Sequence, residues 1–233
     1  MTLRAQVLAA LATVYDPELD EPVTELGFVR SVVVGDGGDV GVRLRLPTPQ
    51  CAPNFAYLMA SDARAAVLGV AGVREADVVL EDHYTGDEIN AAVGRDAGFD
   101  GAFPGETAGS LDALRELFQR KALVARQARV AEALVAAGDT VEQVVARRVA
   151  DLPPGIDAER CRLLRSALGM STGPEAAALV AGDGTPIAVA DFDRWRRRAR
   201  LVSLSLESNG GMCRDLLAVR YGPTPPTHEE VAA

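Results

Sequence analysis

The chain is poor in the residues that build self-contained sites. Only three cysteines, Cys51, Cys161 and Cys213, occur in 233 residues. Their odd number and wide separation argue against a disulfide framework and fit a reducing compartment. No CxxC is present, so the paired ligands that close a zinc or iron-sulfur site within one loop are missing. Any metal held here is expected to be shared or in transit. A Gly-rich phosphate loop, an HExxH helix and a nucleophile elbow are also absent, which removes the commonest signs of independent catalysis. There is no run of eighteen apolar residues, and no small-residue cleavage site follows Met1-Thr2-Leu3-Arg4, so a cytoplasmic protein is expected. Aromatic residues make up 5% of a chain that is 48% hydrophobic, which leaves the cores to Ala, Val and Leu.

Charge is present but uneven. The net charge is -9, and residues 1–106 hold 7 Lys or Arg against 17 Asp or Glu, whereas residues 107–233 hold 17 against 16. An acidic first half repels phosphate backbones, so nucleic acid is not an expected partner. The same acidity keeps a protein soluble.

Residues 1–92 read as one small domain. Leu3, Val7, Leu8, Leu11 and Val14 recur at helical spacing, and the pattern stops at Asp16-Pro17. Val29 to Val34 reads as a strand, residues 35–38 as a hairpin loop, and Val40, Val42, Leu44 and Leu46 as the apolar face of a second strand. After Pro47-Thr48-Pro49-Gln50-Cys51-Ala52-Pro53, a helical stripe runs from Phe55 to Val67, and Ala76, Val78 and Leu80 mark a third strand. The polar run Glu81 to Asn90 follows. The expected class is α+β: an α-β-β-α-β domain with a mainly antiparallel sheet, followed by a mostly helical domain.

Five glycines and a proline interrupt the stretch before Ser110, so residues 93–109 read as a linker. The helical domain is expected over residues 110–221. Thr140-Val141-Glu142-Gln143 has capping-box spacing, a helix runs over residues 158–168, and Asp191 caps another with Phe192, Trp195, Ala199, Val202 and Leu206 on one side. Asn209-Gly210-Gly211 is read as its end, with a separate last helix from Met212 to Tyr221. Residues 222–233, with three prolines, read as a disordered tail.

Cys51 is the first candidate for chemistry. A thiol immediately before a helix lies near unpaired backbone N–H groups, which favour a thiolate able to bind metal or attack an electrophile. The alternative is a small buried hydrophobe. His83 and Glu88 can join Cys51 as metal ligands, or lie in a solvated acidic loop. Asp16 and Glu18 can ligate metal or act as an acid-base pair, or simply stop the first helix. Cys161 shares a helical face with Leu164 and Leu168 and reads as core. Cys213, placed at a helix start, can cooperate with Cys51 if the two domains fold together. The arginines at 194, 196, 197, 198 and 200 around Trp195 read as a solvated face, as a dock for an acidic client, or as partners of the acidic first domain.

The order of these features resembles the PaaD/SufT family of iron-sulfur assembly proteins over roughly residues 4–90. Asp16-Pro17-Glu18-Leu19 follows the first helix, Leu26-Gly27 precedes the first strand, a cysteine loop follows the second, and Gly72-Val73 precedes the third. The resemblance implies a compact α/β domain with Cys51 as the reactive thiol, and with Asp16, Glu18 and Thr48 at the cofactor site. It departs from the family where Cys-Pro becomes Cys51-Ala52-Pro53, and where the family threonine position holds Pro47, leaving Thr48 one place out of register. The implied function is a metalloenzyme maturation factor rather than an enzyme, carrying iron or an iron-sulfur cluster transiently through Cys51. Its partners would be a client metalloenzyme recognised by the helical domain and other cluster-assembly proteins, with no membrane, and a homodimer left open. Other readings are an accessory protein of a di-iron oxygenase, a thiol-dependent enzyme with Cys51 as nucleophile and His83 as base, and a non-catalytic scaffold.

Overall fold

The computed structural model describes residues 1–106 and 110–222. It divides into two compact units, residues 1–112 with 209–233, and residues 113–208. The class is α+β, with a small sheet in the first unit and helices in the second.

In the first unit, helix α1 (Leu3–Leu11) begins at Thr2, whose side chain accepts the Ala5 N–H at 3.2 Å. Strands β1 (Tyr15–Asp16) and β2 (Glu21–Pro22) then form a small antiparallel hairpin, with Asp16 opposite Glu21. The Asp-Pro-Glu-Leu motif is the turn of that hairpin. Strands β3 (Val29–Val34) and β4 (Asp39–Arg45) pair antiparallel, and β4 pairs parallel with β5 (Glu75–Glu81) in register from Asp39↔Glu75 to Arg45↔Glu81. Parallel neighbours need a crossover, and helix α2 (Pro53–Leu68) supplies it. Gly38 is required where the hairpin loop meets the end of this crossover. It has φ +89°, and a Cβ there would lie 2.2 Å from the Gly72 carbonyl oxygen.

Alternation in β4 sends Val40, Val42 and Leu44 inward beside Ala76, Val78 and Leu80 of β5, against Ala60, Ala63 and Val67 of α2. The outer face carries ion pairs such as Arg43–Asp77 at 2.9 Å, exposed enough to add only about 0–1 kcal/mol. The polar run after β5 is not a loop throughout. It turns into helix α3 (Gly86–Gly94), which buries Ile89, Ala92 and Val93. Asn90 holds that helix to the sheet: its Oδ1 accepts the Leu80 N–H at 2.8 Å and its Nδ2 donates to the Leu80 carbonyl at 3.0 Å. The stretch expected as a linker contains helix α4 (Gly98–Ala102), with Phe99 and Phe103 packed on the core, while residues 107–109 lie outside the described residues. Glycine content hid this helix because the apolar contacts come from only two rings.

The second unit consists of helix α5 (Asp112–Ala136), α6 (Val141–Ala146), a short 3-10 turn, α7 (Ile156–Ala167) and the first part of α8 (Val189–Tyr221). The Thr140–Gln143 capping box is present. Gln127 repeats the amide clamp of Asn90: its Nε2 donates to the Val180 carbonyl at 3.0 Å and its Oε1 accepts the Val180 N–H at 2.6 Å. Cys161 is buried at 1% exposure. Helix α8 corrects the expected break at Asn209-Gly210-Gly211, since it runs unbroken to Tyr221. Gly210 serves close packing: a Cβ there would stand 2.4 Å from the Glu21 carboxylate. The expected tail falls, from residue 223 on, outside the described residues.

Asn90→Ala should destabilise the full chain by about 1–3 kcal/mol, because it strands both Leu80 backbone groups. Val33→Ala, at a side chain 64% exposed, should stay within about 0.5 kcal/mol. Urea unfolding monitored by circular dichroism checks both, and equal effects would contradict the clamp.

Candidate functional site

Cys51 lies where β4 gives way to α2, in a loop that includes two prolines, Pro47 and Pro49, and is held from several sides. Pro53 occupies the first turn of α2, where its missing N–H costs nothing. Thr48 accepts the Gln50 N–H at 3.2 Å, and its hydroxyl lies 3.6 Å from the Cys51 sulfur. The shift of register noted above therefore does not remove the hydroxyl from the thiol. Cys51 itself is half-buried.

The loop after β5 grips the cysteine loop. Tyr84 donates its N–H to the Pro49 carbonyl at 3.1 Å, and His83 Nε2 lies 2.7 Å from the Cys51 carbonyl oxygen. The Thr85 N–H points at His83 Nδ1 at 3.3 Å, which makes Nδ1 an acceptor. The proton consequently sits on Nε2 and is donated to Cys51. His83 is thus a strut for the backbone of the cysteine loop. In this arrangement both ring nitrogens are engaged, and the bond goes to the Cys51 carbonyl rather than to the sulfur. Glu88 lies exposed on α3. Among the described residues no group of three His, Cys, Asp or Glu side chains is arranged to hold a metal ion, so Cys51, His83 and Glu88 do not form the expected ligand set.

Asp16 is 7% exposed, and its Oδ1 accepts the N–H groups of Glu18 and Leu19 at 2.8 and 2.9 Å. It caps the β1–β2 turn. Burial pushes its carboxyl up from 3.8 to about 6, the two N–H groups oppose this, and the charges of Glu18 and Glu21 add to it. Glu18 is exposed on the same turn.

Cys213 lies on the last part of α8, which belongs to the first unit, and packs against the same core as Cys51. It was expected at a helix start, where a thiol is more acidic. Because α8 is continuous, it sits well inside the helix instead, and its thiol is pushed up to about 11. Burial is the largest cause, followed by the charges of Asp16, Cys51 and Glu18, with Arg214 acting the other way. Periodicity could not find it, since the two glycines read as a break.

In the second unit, two arginines of the basic segment pair with acidic residues of the same unit. Arg196 makes two hydrogen bonds to Glu132, at 2.7 and 2.6 Å, and Arg194 pairs with Asp191 at 2.6 Å. A groove of about 560 Å³ runs beside these residues, lined by apolar side chains including Val124, Ile187 and Trp195, and by the cations Arg120, Lys121, Arg194 and Arg198 against Asp183 and Asp191. No helix of the described residues is long and apolar enough to cross a membrane.

Residues 4–78 match the family model described as iron-sulfur cluster assembly protein. An uncharacterised protein of Methanocaldococcus jannaschii is 36% identical over 90 residues, 39% of this chain and 93% of the relative. A protein of Porphyromonas gingivalis described as an Fe-S protein maturation auxiliary factor is 33% identical over 95 residues, 40% of this chain and 89% of the relative. An iron-sulfur cluster carrier protein of Mycobacterium tuberculosis is 38% identical over 82 residues, 34% of this chain but only 21% of the carrier. No solved structure matches.

The sign of the Asp16 shift gives a test. Its folded-state value lies above the unfolded one, so ionisation costs stability as pH rises from 3.8 to about 6. Asp16→Asn keeps the acceptor oxygen and removes the charge. Its stability advantage over the native chain should grow across that window and level off above it, at no more than about 3 kcal/mol. Urea unfolding at a series of pH values checks this, and a pH-independent difference would contradict it.

Proposed function

The chain belongs to the iron-sulfur cluster assembly protein family, and on that premise we propose that it carries iron or an iron-sulfur cluster on Cys51 to a specific client metalloenzyme. The observation that supports this most is the presentation of one half-buried thiol on a loop fixed by Thr48, His83 and Tyr84, without a complete ligand set around it. A thiolate is a soft ligand suited to iron and to clusters. A single thiol in an incomplete set favours passage over storage, because the remaining ligands come from the donor or the client. Transfer is ligand exchange: one iron–thiolate bond breaks as another forms, the iron keeps its oxidation state, and the incoming thiol releases a proton that the departing thiolate regains.

The second unit is assigned to client recognition. Its groove combines apolar walls with four cations against two carboxylates, which suits an acidic client segment with apolar side chains. The client centre, iron-sulfur or di-iron, is the one whose metal content depends on this chain.

In cells lacking the chain, Cys51→Ser should leave the client enzyme as metal-poor and inactive as no complementation at all, whereas Cys161→Ser should restore it. Iron content and activity of the purified client are the readouts, and full restoration by Cys51→Ser would refute the proposal. A Lys121→Glu and Arg198→Glu double variant should lower client maturation while leaving the alkylation rate of Cys51 unchanged. Undiminished maturation would remove the groove from the account.

A further inference from the structure

We propose that Cys213 is the second sulfur of the Cys51 site, so that the chain offers its cargo two thiolates as a chelate for a thiophilic metal ion or cluster iron. The chelating role rests on the reading of Cys51 as the cargo thiol; the pairing of the two sulfurs does not.

The argument begins with the face that α8 turns to the first unit. Gly210, Cys213, Leu217 and Tyr221 recur at spacings of three and four, which places them along one side of a helix. Gly210 is buried against Glu21, and Arg214 beside Cys213 forms an ion pair with the same carboxylate. Glu21 stands directly across the β1–β2 hairpin from Asp16. One turn beyond Cys213, Leu217 is 3% exposed within the core that Cys51 and Cys213 both pack against.

The other end of this face is anchored at the foot of the cysteine loop. The Tyr221 hydroxyl donates to Asp82 at 3.1 Å, and the Arg45 guanidinium lies 4.6 Å from the centre of its ring. Arg45 closes β4, just before the cysteine loop, and Asp82 precedes His83, whose ring holds the Cys51 carbonyl. Helix α8 therefore reaches from the Asp16 hairpin to the base of the Cys51 loop, with Cys213 between the two anchors. The charge interaction of Cys213 with Cys51, Asp16 and Glu18 agrees with that placement.

This second thiol lies outside the family match, which ends at residue 78. A dithiol changes what the site can take. One thiolate holds iron only while another protein supplies every remaining ligand. Two thiolates on one rigid unit raise the effective concentration of the second ligand and leave two positions of a tetrahedral iron for donor or client.

A trivalent arylarsenical, phenylarsine oxide, tests the pairing on the full-length chain. Each arsenic binds two thiols with loss of one water and no change in its oxidation state: the As=O oxygen takes both thiol protons, and two As–S bonds form. One equivalent should bind and protect both Cys51 and Cys213 from maleimide. Cys51→Ser, Cys213→Ser and Cys213→Ala should each weaken binding at least about 10-fold, with Cys161→Ser unchanged. Native-like circular dichroism of either Cys213 variant keeps the result interpretable. Cadmium titration supplies the metal readout, with thiolate-to-cadmium absorbance about twofold greater for the native chain than for each single variant. Undiminished arsenical binding by the Cys213 variants, or protection of Cys51 alone, would overturn the pairing while leaving Cys51 as the cargo thiol. Client maturation by Cys51→Ser would instead refute the carrier reading and leave the pairing standing.

Discussion

The parallel pairing of β4 with β5 is the constraint on which the site depends. Parallel strands end at the same edge of a sheet, so the loops that leave their carboxyl ends must meet there. After β4 that loop carries Cys51, and after β5 it carries His83. The register brings Arg45 opposite Glu81, which leaves the two loops starting side by side. The hydrogen bond from His83 to the Cys51 carbonyl follows from this arrangement. The crossover also requires a helix to begin at that edge, and Pro53 begins it two residues after the thiol. Direction of pairing, more than the residues of either loop, creates the site.

Polar side chains elsewhere serve the backbone. Asn90 and Gln127 each satisfy both the N–H and the C=O of one residue, Leu80 and Val180. Such amides give back through their hydrogen bonds what their desolvation costs. Arg165 donates to the carbonyls of Ala177 and Ala178 and replaces pairing that the irregular segment lacks. Asp16 differs from these. An asparagine would cap the same turn without a charge, yet the chain carries a carboxyl whose ionisation burial opposes.

This contrast explains what was legible in the sequence. Alternation in β4, the helical stripe of α2 and the Thr140–Gln143 capping box depend on neighbours within a few residues, and each appears as read. The turn at Asp16 and the position of Cys51 between strand and helix are equally local. Three features were not. The direction of β5 depends on the crossover, and hence so does the meeting of His83 with Cys51. Helix α3 buries only a few side chains, so a predominantly polar stretch concealed it. The continuity of α8 through Gly210 and Gly211 brings Gly210 against Glu21, nearly two hundred residues away in the chain. Glycine lowers helix propensity by only about 1 kcal/mol, which tertiary packing readily offsets.

The same long-range contact gives the site its electrostatic character. Cys213, Asp16, Glu18 and Cys51 are groups that become negative on losing a proton, and α8 brings the first of them to the other three. Their mutual repulsion contributes to the upward shift at Cys213, and the Glu18 and Glu21 charges contribute to that at Asp16. Arg214 opposes it at Cys213, but its guanidinium is also committed to Glu21. Such a concentration of acidic groups repels an anionic phosphate. The acidic balance of the first half has the same sign. On the proposed role, an iron cation approaching Cys51 would meet a field of favourable sign.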